Sequence, residues 1–185
     1  MNYIVSGLER SGTSLMMQIL LAGGFPIAYT AERTPDEHNP NGYYELERGK
    51  IINKLIEGKF DKDTYDNVAI KITSYGLKYL PKGEYKIIYM LRTTEEIYNS
   101  QEKMIGKPSK DKKETMELLQ KMNFDAMRIC NERDDIEMIC INYNALLDEP
   151  EKELKKVSKF INKDIISGKN VIDKKLYRNR YVTQV

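Results

Sequence analysis

Gly7-Leu8-Glu9-Arg10-Ser11-Gly12-Thr13-Ser14 carries the sharpest chemical signal in this chain. Two glycines separated by four residues and followed by two hydroxyl residues make a loop able to lay backbone N–H groups around an anion. The apolar run Tyr3–Ser6 precedes the loop, and Leu15, Met16, Met17, Ile19, Leu20 and Leu21 follow it. The loop therefore joins a strand to the N-terminus of a helix, where the aligned peptide dipoles favour negative charge. N–H groups at Gly12–Ser14 and the Thr13 and Ser14 hydroxyls are expected to bind a phosphate. A nucleotide triphosphatase places lysine where Thr13 stands, and here the positive charge sits inside the loop, at Arg10. Strand ends at Ile72 and Leu91 run into Thr73 and Arg92, not into an aspartate that would hold magnesium. No metal is expected.

Four other positions could act on such a ligand. Arg92 follows the run Ile87–Leu91, at the strand edge where open α/β sheets bind ligands, and Ser100 lies about two helical turns further on. The alternative for Arg92 is a surface ion pair with Glu95 or Glu96. His38 is the only histidine, and an unperturbed pKa of about 6.5 suits a general base. The alternative there is an exposed loop residue. Lys71 lies near the end of the run Val68–Ile72, where a lysine can snorkel.

The elements that must position these residues are legible as Tyr3–Ser6, Val68–Ile72, Ile87–Leu91 and Ile136–Ile141, nearly continuous apolar runs suited to strands covered on both faces. Helical patterns alternate with them: residues 13–22, closed by Gly23 and Gly24; 112–133, with Met116, Leu119, Met122, Ala126 and Ile129 on one face; and a helix from Pro150 capped by Asp148 or Glu149. This alternation predicts one α/β domain over 1–185, three layers around a parallel sheet of about four to five strands. Residues 24–45 form a long loop, which in a compact domain is functional or mobile, and 106–113 form a basic connection. Cys130 and Cys140 fit neither metal spacing nor a disulfide framework and read as small core residues. Thirty basic against twenty-eight acidic residues give no electrostatic case for nucleic acid. The opening MNYIVSGLERSG has neither a basic leader nor a long apolar run, so neither signal peptide nor membrane anchor is expected, and the location expected is cytoplasmic.

The loop Arg10-Ser11-Gly12-Thr13-Ser14 resembles the 5′-phosphosulfate loop of the sulfotransferase family, which shares the P-loop NTPase-like fold. Ile87-Ile-Tyr-Met-Leu-Arg92 with Ser100 is similar to the family's second element, a strand ending in arginine and a helix bearing serine. Asn39-Pro-Asn-Gly42-Tyr-Tyr-Glu45 and Ile141-Asn-Tyr143 with Leu146-Leu-Asp-Glu-Pro150 are weaker echoes, so the resemblance runs from about residue 2 to 162. It implies that 3′-phosphoadenosine 5′-phosphosulfate is the co-substrate and that Arg10 through Ser14 hold its 5′ end. Arg92 and Ser100 would hold its 3′-phosphate, and Tyr143 would approach the adenine. Lys71 would lie near the transferred group, with Glu45 as the rival of His38 for the base. The sulfuryl group would pass to a hydroxyl or amine of a small-molecule or glycan acceptor. Two features depart from the family: Glu9 replaces a common proline, and the C-terminal nucleotide-closing loop is absent, with Arg178 the candidate substitute. A kinase-like phosphotransferase and a non-catalytic nucleotide-binding module are the competing readings.

Overall fold

The computed structural model describes residues 1–106 and 111–177, and in it the four apolar runs become β1 (Asn2–Gly7), β2 (Ala69–Lys71), β3 (Tyr85–Leu91) and β4 (Ile136–Asn142). All pair in parallel, in the order β2-β1-β3-β4, with Ile4 level with Ile70 and Ile87. The helices are α1 (Thr13–Ala22), α2 (Ile51–Ile56), α3 (Thr94–Ile105), α4 (Lys112–Asn131), α5 (Tyr143–Asp148) and α6 (Pro150–Ile161).

Side chains alternate across the strands and so divide the core in two. Val5, Ile88 and Met90 face Met16, Met17 and Leu20 of α1 and Leu154 and Val157 of α6. Ile4, Ile87 and Tyr89 face Ile51 and Leu55 of α2 and Ala126 and Cys130 of α4. Helices thus cover both faces, giving the expected three-layer α/β fold with a four-stranded sheet. Each buried Val, Leu, Ile or Met among these contributes roughly 1.5–3 kcal/mol.

The structure corrects two expectations. Only Ile141 of β4 is buried, because β4 is an edge strand with β3 as its single partner among the described residues. Cys140 is therefore exposed, not a core residue, whereas Cys130 is buried and its thiol is pushed up to about 11 by burial. The late helix does start at Pro150, as α6, and the separate short helix α5 precedes it, with Asn142 as its cap, accepting from the N–H groups of Asn144 and Ala145. Glu149 occupies the cap position of α6 but makes no side-chain capping bond there.

The segment 24–45 is a loop that first runs beside the sheet, where Ala28 donates to Ala69 O and Ala69 donates to Pro26 O, both at 2.9 Å. It then crosses the carboxyl ends of β1 and β2. Residues 107–110 of the basic connection lie outside the described residues. No described helix is long and apolar enough to cross a membrane.

Candidate active site

The chain leaves β1 at Gly7, whose φ of 148° and surroundings both require glycine: a Cβ there would stand 2.4 Å from Ser11 Oγ and 2.6 Å from Met90 O. Ser11 N–H donates to Leu8 O at 3.1 Å, which folds the loop back over Gly7. Arg10 takes the left-handed region with φ 71°, a conformation that costs an arginine roughly 1–3 kcal/mol unless its surroundings hold it. Gly12, at φ 103°, then turns the chain into α1. Met16 N–H makes the first helical bond, to Gly12 O, so the N–H groups of Thr13, Ser14 and Leu15 stand ahead of it. No side chain caps this end and its first turn holds no acid, which leaves the positive pole of the helix open to an anion. Ser11, expected among the binding residues, is instead fully buried beneath the loop and lines no part of the cleft.

A cleft of about 240 Å³ lies over this loop, and Arg10, Gly12, Thr13, Ser14, His38, Glu45, Lys71, Arg92, Ser100 and Tyr143 all line it. The structure thus brings together every expected site residue except Ser11 and Arg178, and Arg178 lies outside the described residues. Sheet order explains the gathering: β2, β1, β3 and β4 end side by side, Lys71 is the last residue of β2, and the loop, Arg92 and Tyr143 follow directly from the other three ends. Arg10, Arg33, Lys71, Arg92 and Lys103 outnumber Glu9, Glu45 and Asp173 along the walls, so the cleft suits an anion. Burial lowers the pKa of Arg10, with the like charge of Arg92 acting in the same direction.

On the β2 side, Lys71 is 7% exposed and gives its ammonium to three partners. These are Tyr43 O at 2.6 Å, Glu45 Oε1 at 3.0 Å and Ser14 Oγ at 3.3 Å. Burial pushes its pKa below the ordinary lysine value, and the Glu45 carboxylate opposes that push. Arg33 donates to both oxygens of Glu45 at 3.3 and 3.1 Å and lies over the Tyr43 ring, 3.4 Å from its centroid. The Tyr43 hydroxyl is fixed by Asp36 at 2.7 and 2.8 Å, and that hydrogen bond lowers the pKa of Asp36. His38 lines the cleft with its ring 3.5 Å from Glu37 while its carbonyl accepts from Arg10 Nη2 at 3.0 Å.

The β3 side is built differently. Arg92 donates from Nε to Glu96 Oε2 at 2.9 Å and from Nη1 to Arg10 O at 3.1 Å. The pair with Glu96 does exist, but its side chains are 7% and 0% exposed, so it is buried rather than superficial. Ser100 accepts from Arg10 Nε at 3.0 Å, so the serine of the second motif meets the arginine of the first. Tyr143 packs on Gly12, where a Cβ would fall 2.3 Å from the ring, and the Arg92 guanidinium lies 4.6 Å from the ring centroid.

Arg33, Tyr43, Glu96 and Tyr177 escape the sequence reading as site residues. Glu96 alone has a signal, its position four residues after Arg92 on a helix, and burial is what that spacing does not reveal. Among the described residues no group of three His, Cys, Asp or Glu is placed to hold a metal ion.

No protein-family model matches the chain, and no curated protein does. Solved structures do match in fold. The sulfotransferase domain of the olefin synthase of Synechococcus PCC 7002 aligns with a TM-score of 0.52, 13% identity, and 98% of this chain and 77% of that domain covered. The sulfotransferase domain from the curacin biosynthetic pathway aligns with a TM-score of 0.51, 12% identity, and 98% and 78% covered.

Proposed function

We propose that this cleft binds 3′-phosphoadenosine 5′-phosphosulfate and moves its sulfuryl group to a hydroxyl or amine of a small-molecule or glycan acceptor. One observation carries the reading: the Arg10 side chain, rising from the phosphate-type loop, ends on Ser100 at 3.0 Å, beside Arg92. Two cationic grips in one cleft suit a ligand with two anionic ends. The shared fold with two sulfotransferase domains supports the same reading.

The donor set fits the group. N–H groups at the uncapped start of α1, the Thr13 and Ser14 hydroxyls, Arg10 and Lys71 would hold the 5′ end. Arg92 and Ser100 would hold the 3′-phosphate, with Tyr143 walling the nucleoside. When bound, the donor supplies a sulfuryl group on a phosphate leaving group. Arg10 and Lys71 then stabilise the charge that grows on the departing oxygens, as fixed donors do wherever charge develops in a transition state. Hydrogen bonds from Lys71 and Arg33 already occupy both Glu45 oxygens, so Glu45 orients the two cations and His38 takes the acceptor proton.

Release of 3′-phosphoadenosine 5′-phosphate from the donor, stimulated by a mixed hydroxyl and amine acceptor pool, tests the function. His38→Asn should slow that release about 10²-fold with nucleotide affinity unchanged, and Glu45→Gln should slow it less. The opposite order assigns the base to Glu45. ATP hydrolysis without sulfuryl transfer would replace the reading with the kinase-like one.

A further inference from the structure

Glu96 is the one carboxylate among the described residues with a completely buried side chain in an ion pair, and no step above uses it. It sits in the first turn of α3 on the same helix face as Ser100, four residues on, while Arg92, four residues before it, precedes the helix cap Thr93. Three donors from three parts of the chain converge on it. Arg92 Nε binds Oε2 at 2.9 Å, and Oε1 receives Asn144 Nδ2 of α5 at 3.2 Å and the Tyr177 hydroxyl at 3.0 Å. Tyr177 in turn stands edge-on to Tyr143, ring centroids 5.5 Å apart.

We propose that Glu96 is a positioning residue that sets selectivity for the 3′-phosphate, by aiming Arg92 at the cleft and tying the Tyr177 segment over the same end. The proposal rests on the donor reading above. A guanidinium has five N–H donors in a fixed plane, so fixing Nε on Glu96 and one Nη1 hydrogen on Arg10 O fixes the direction of the others. Without the carboxylate, the same side chain could turn toward the Tyr143 and Tyr177 rings, whose centroids lie 4.6 and 5.6 Å from it. Glutamine cannot replace the carboxylate. If its oxygen faces Tyr177 and Asn144, its amide N–H group faces Arg92, donor against donor, and if its oxygen faces Arg92 the buried guanidinium still loses its counter-charge.

The test compares affinities of the full chain for 3′-phosphoadenosine 5′-phosphate and adenosine 5′-monophosphate, which differ only in the 3′-phosphate. Wild type should prefer the former by about tenfold or more. Glu96→Gln should bring that ratio below about threefold while changing monophosphate affinity less than about twofold. Glu96→Asp, which keeps the charge, should fall between the two. If the glutamine variant does not fold, the aspartate variant decides: a lowered ratio supports the proposal and a wild-type ratio overturns it. A Gln ratio equal to or above wild type, or equal losses for both nucleotides, also overturns it, the second outcome marking a purely structural role. Wild-type protein that binds neither nucleotide defeats the donor reading itself, a result distinct from any of these.

Discussion

The two ends of the cleft hold their cations by different means. Among the described residues Arg10 donates only to neutral acceptors, His38 O and Ser100 Oγ, while Lys71 on the β2 side is shared among Tyr43 O, Ser14 Oγ and the Glu45 carboxylate. An ionised phosphate oxygen makes roughly twice as strong a hydrogen bond as a neutral acceptor, so a ligand can take Arg10 over. On the β3 side, Arg92 rests on a buried carboxylate that a ligand cannot displace. Arg10 is held by exchangeable contacts and Arg92 by scaffold. For the proposed nucleotide, with its two anionic ends, one kind of contact would fix direction and the other would trade partners.

Stability separates the two ends most strongly. Glu96→Ala leaves a buried guanidinium without its counter-ion, and urea unfolding of the ligand-free protein should show a loss of about 3–5 kcal/mol. Arg10→Ala leaves the backbone strain at φ 71° in place, since only glycine would relieve it, and removes a cation held by neutral acceptors, so its stability should change by less than about 1 kcal/mol. Its cost should appear in nucleotide affinity instead, about 1.5–3 kcal/mol for a lost charge-assisted contact. If both substitutions destabilise the free protein alike, the division into scaffold and exchangeable contacts is wrong.

A smaller effect comes from pH. Burial holds the Lys71 pKa below 10.5, so between that lowered value and 10.5 the folded chain binds one proton fewer at this site than the unfolded chain. The Lys71 contribution to stability therefore rises with pH in this window, because the cost of a buried charge disappears. Nucleotide affinity should move the other way, weakening as pH rises through the lowered pKa and the ammonium loses its charge. Lys71→Met should flatten that decline in a titration series. A decline of unchanged slope in the variant would remove Lys71 from the binding set.

Much of this was legible before any coordinates. Continuous apolar runs mark the strands because a parallel sheet covered on both faces excludes polar residues, and β1 and β3 obey that rule. β4 breaks it, since the run Ile136–Ile141 looks the same whether the strand is central or at an edge. The Gly7–Ser14 loop was readable because its backbone conformation requires glycine at fixed places. The β2 side was less readable. Arg33 meets Tyr43 and Glu45 through a long loop whose path no periodicity encodes. Glu96 was visible as a neighbour of Arg92 but not as a buried one, because its burial depends on Asn144 and Tyr177, 48 and 81 residues away.

Calorimetric titration of the wild-type chain with 3′-phosphoadenosine 5′-phosphate and, separately, with ATP is the most direct trial of the central claim. The two-ended cleft predicts at least about tenfold tighter binding of the first, near 1.4 kcal/mol. Equal affinity, or a preference for ATP, would contradict it.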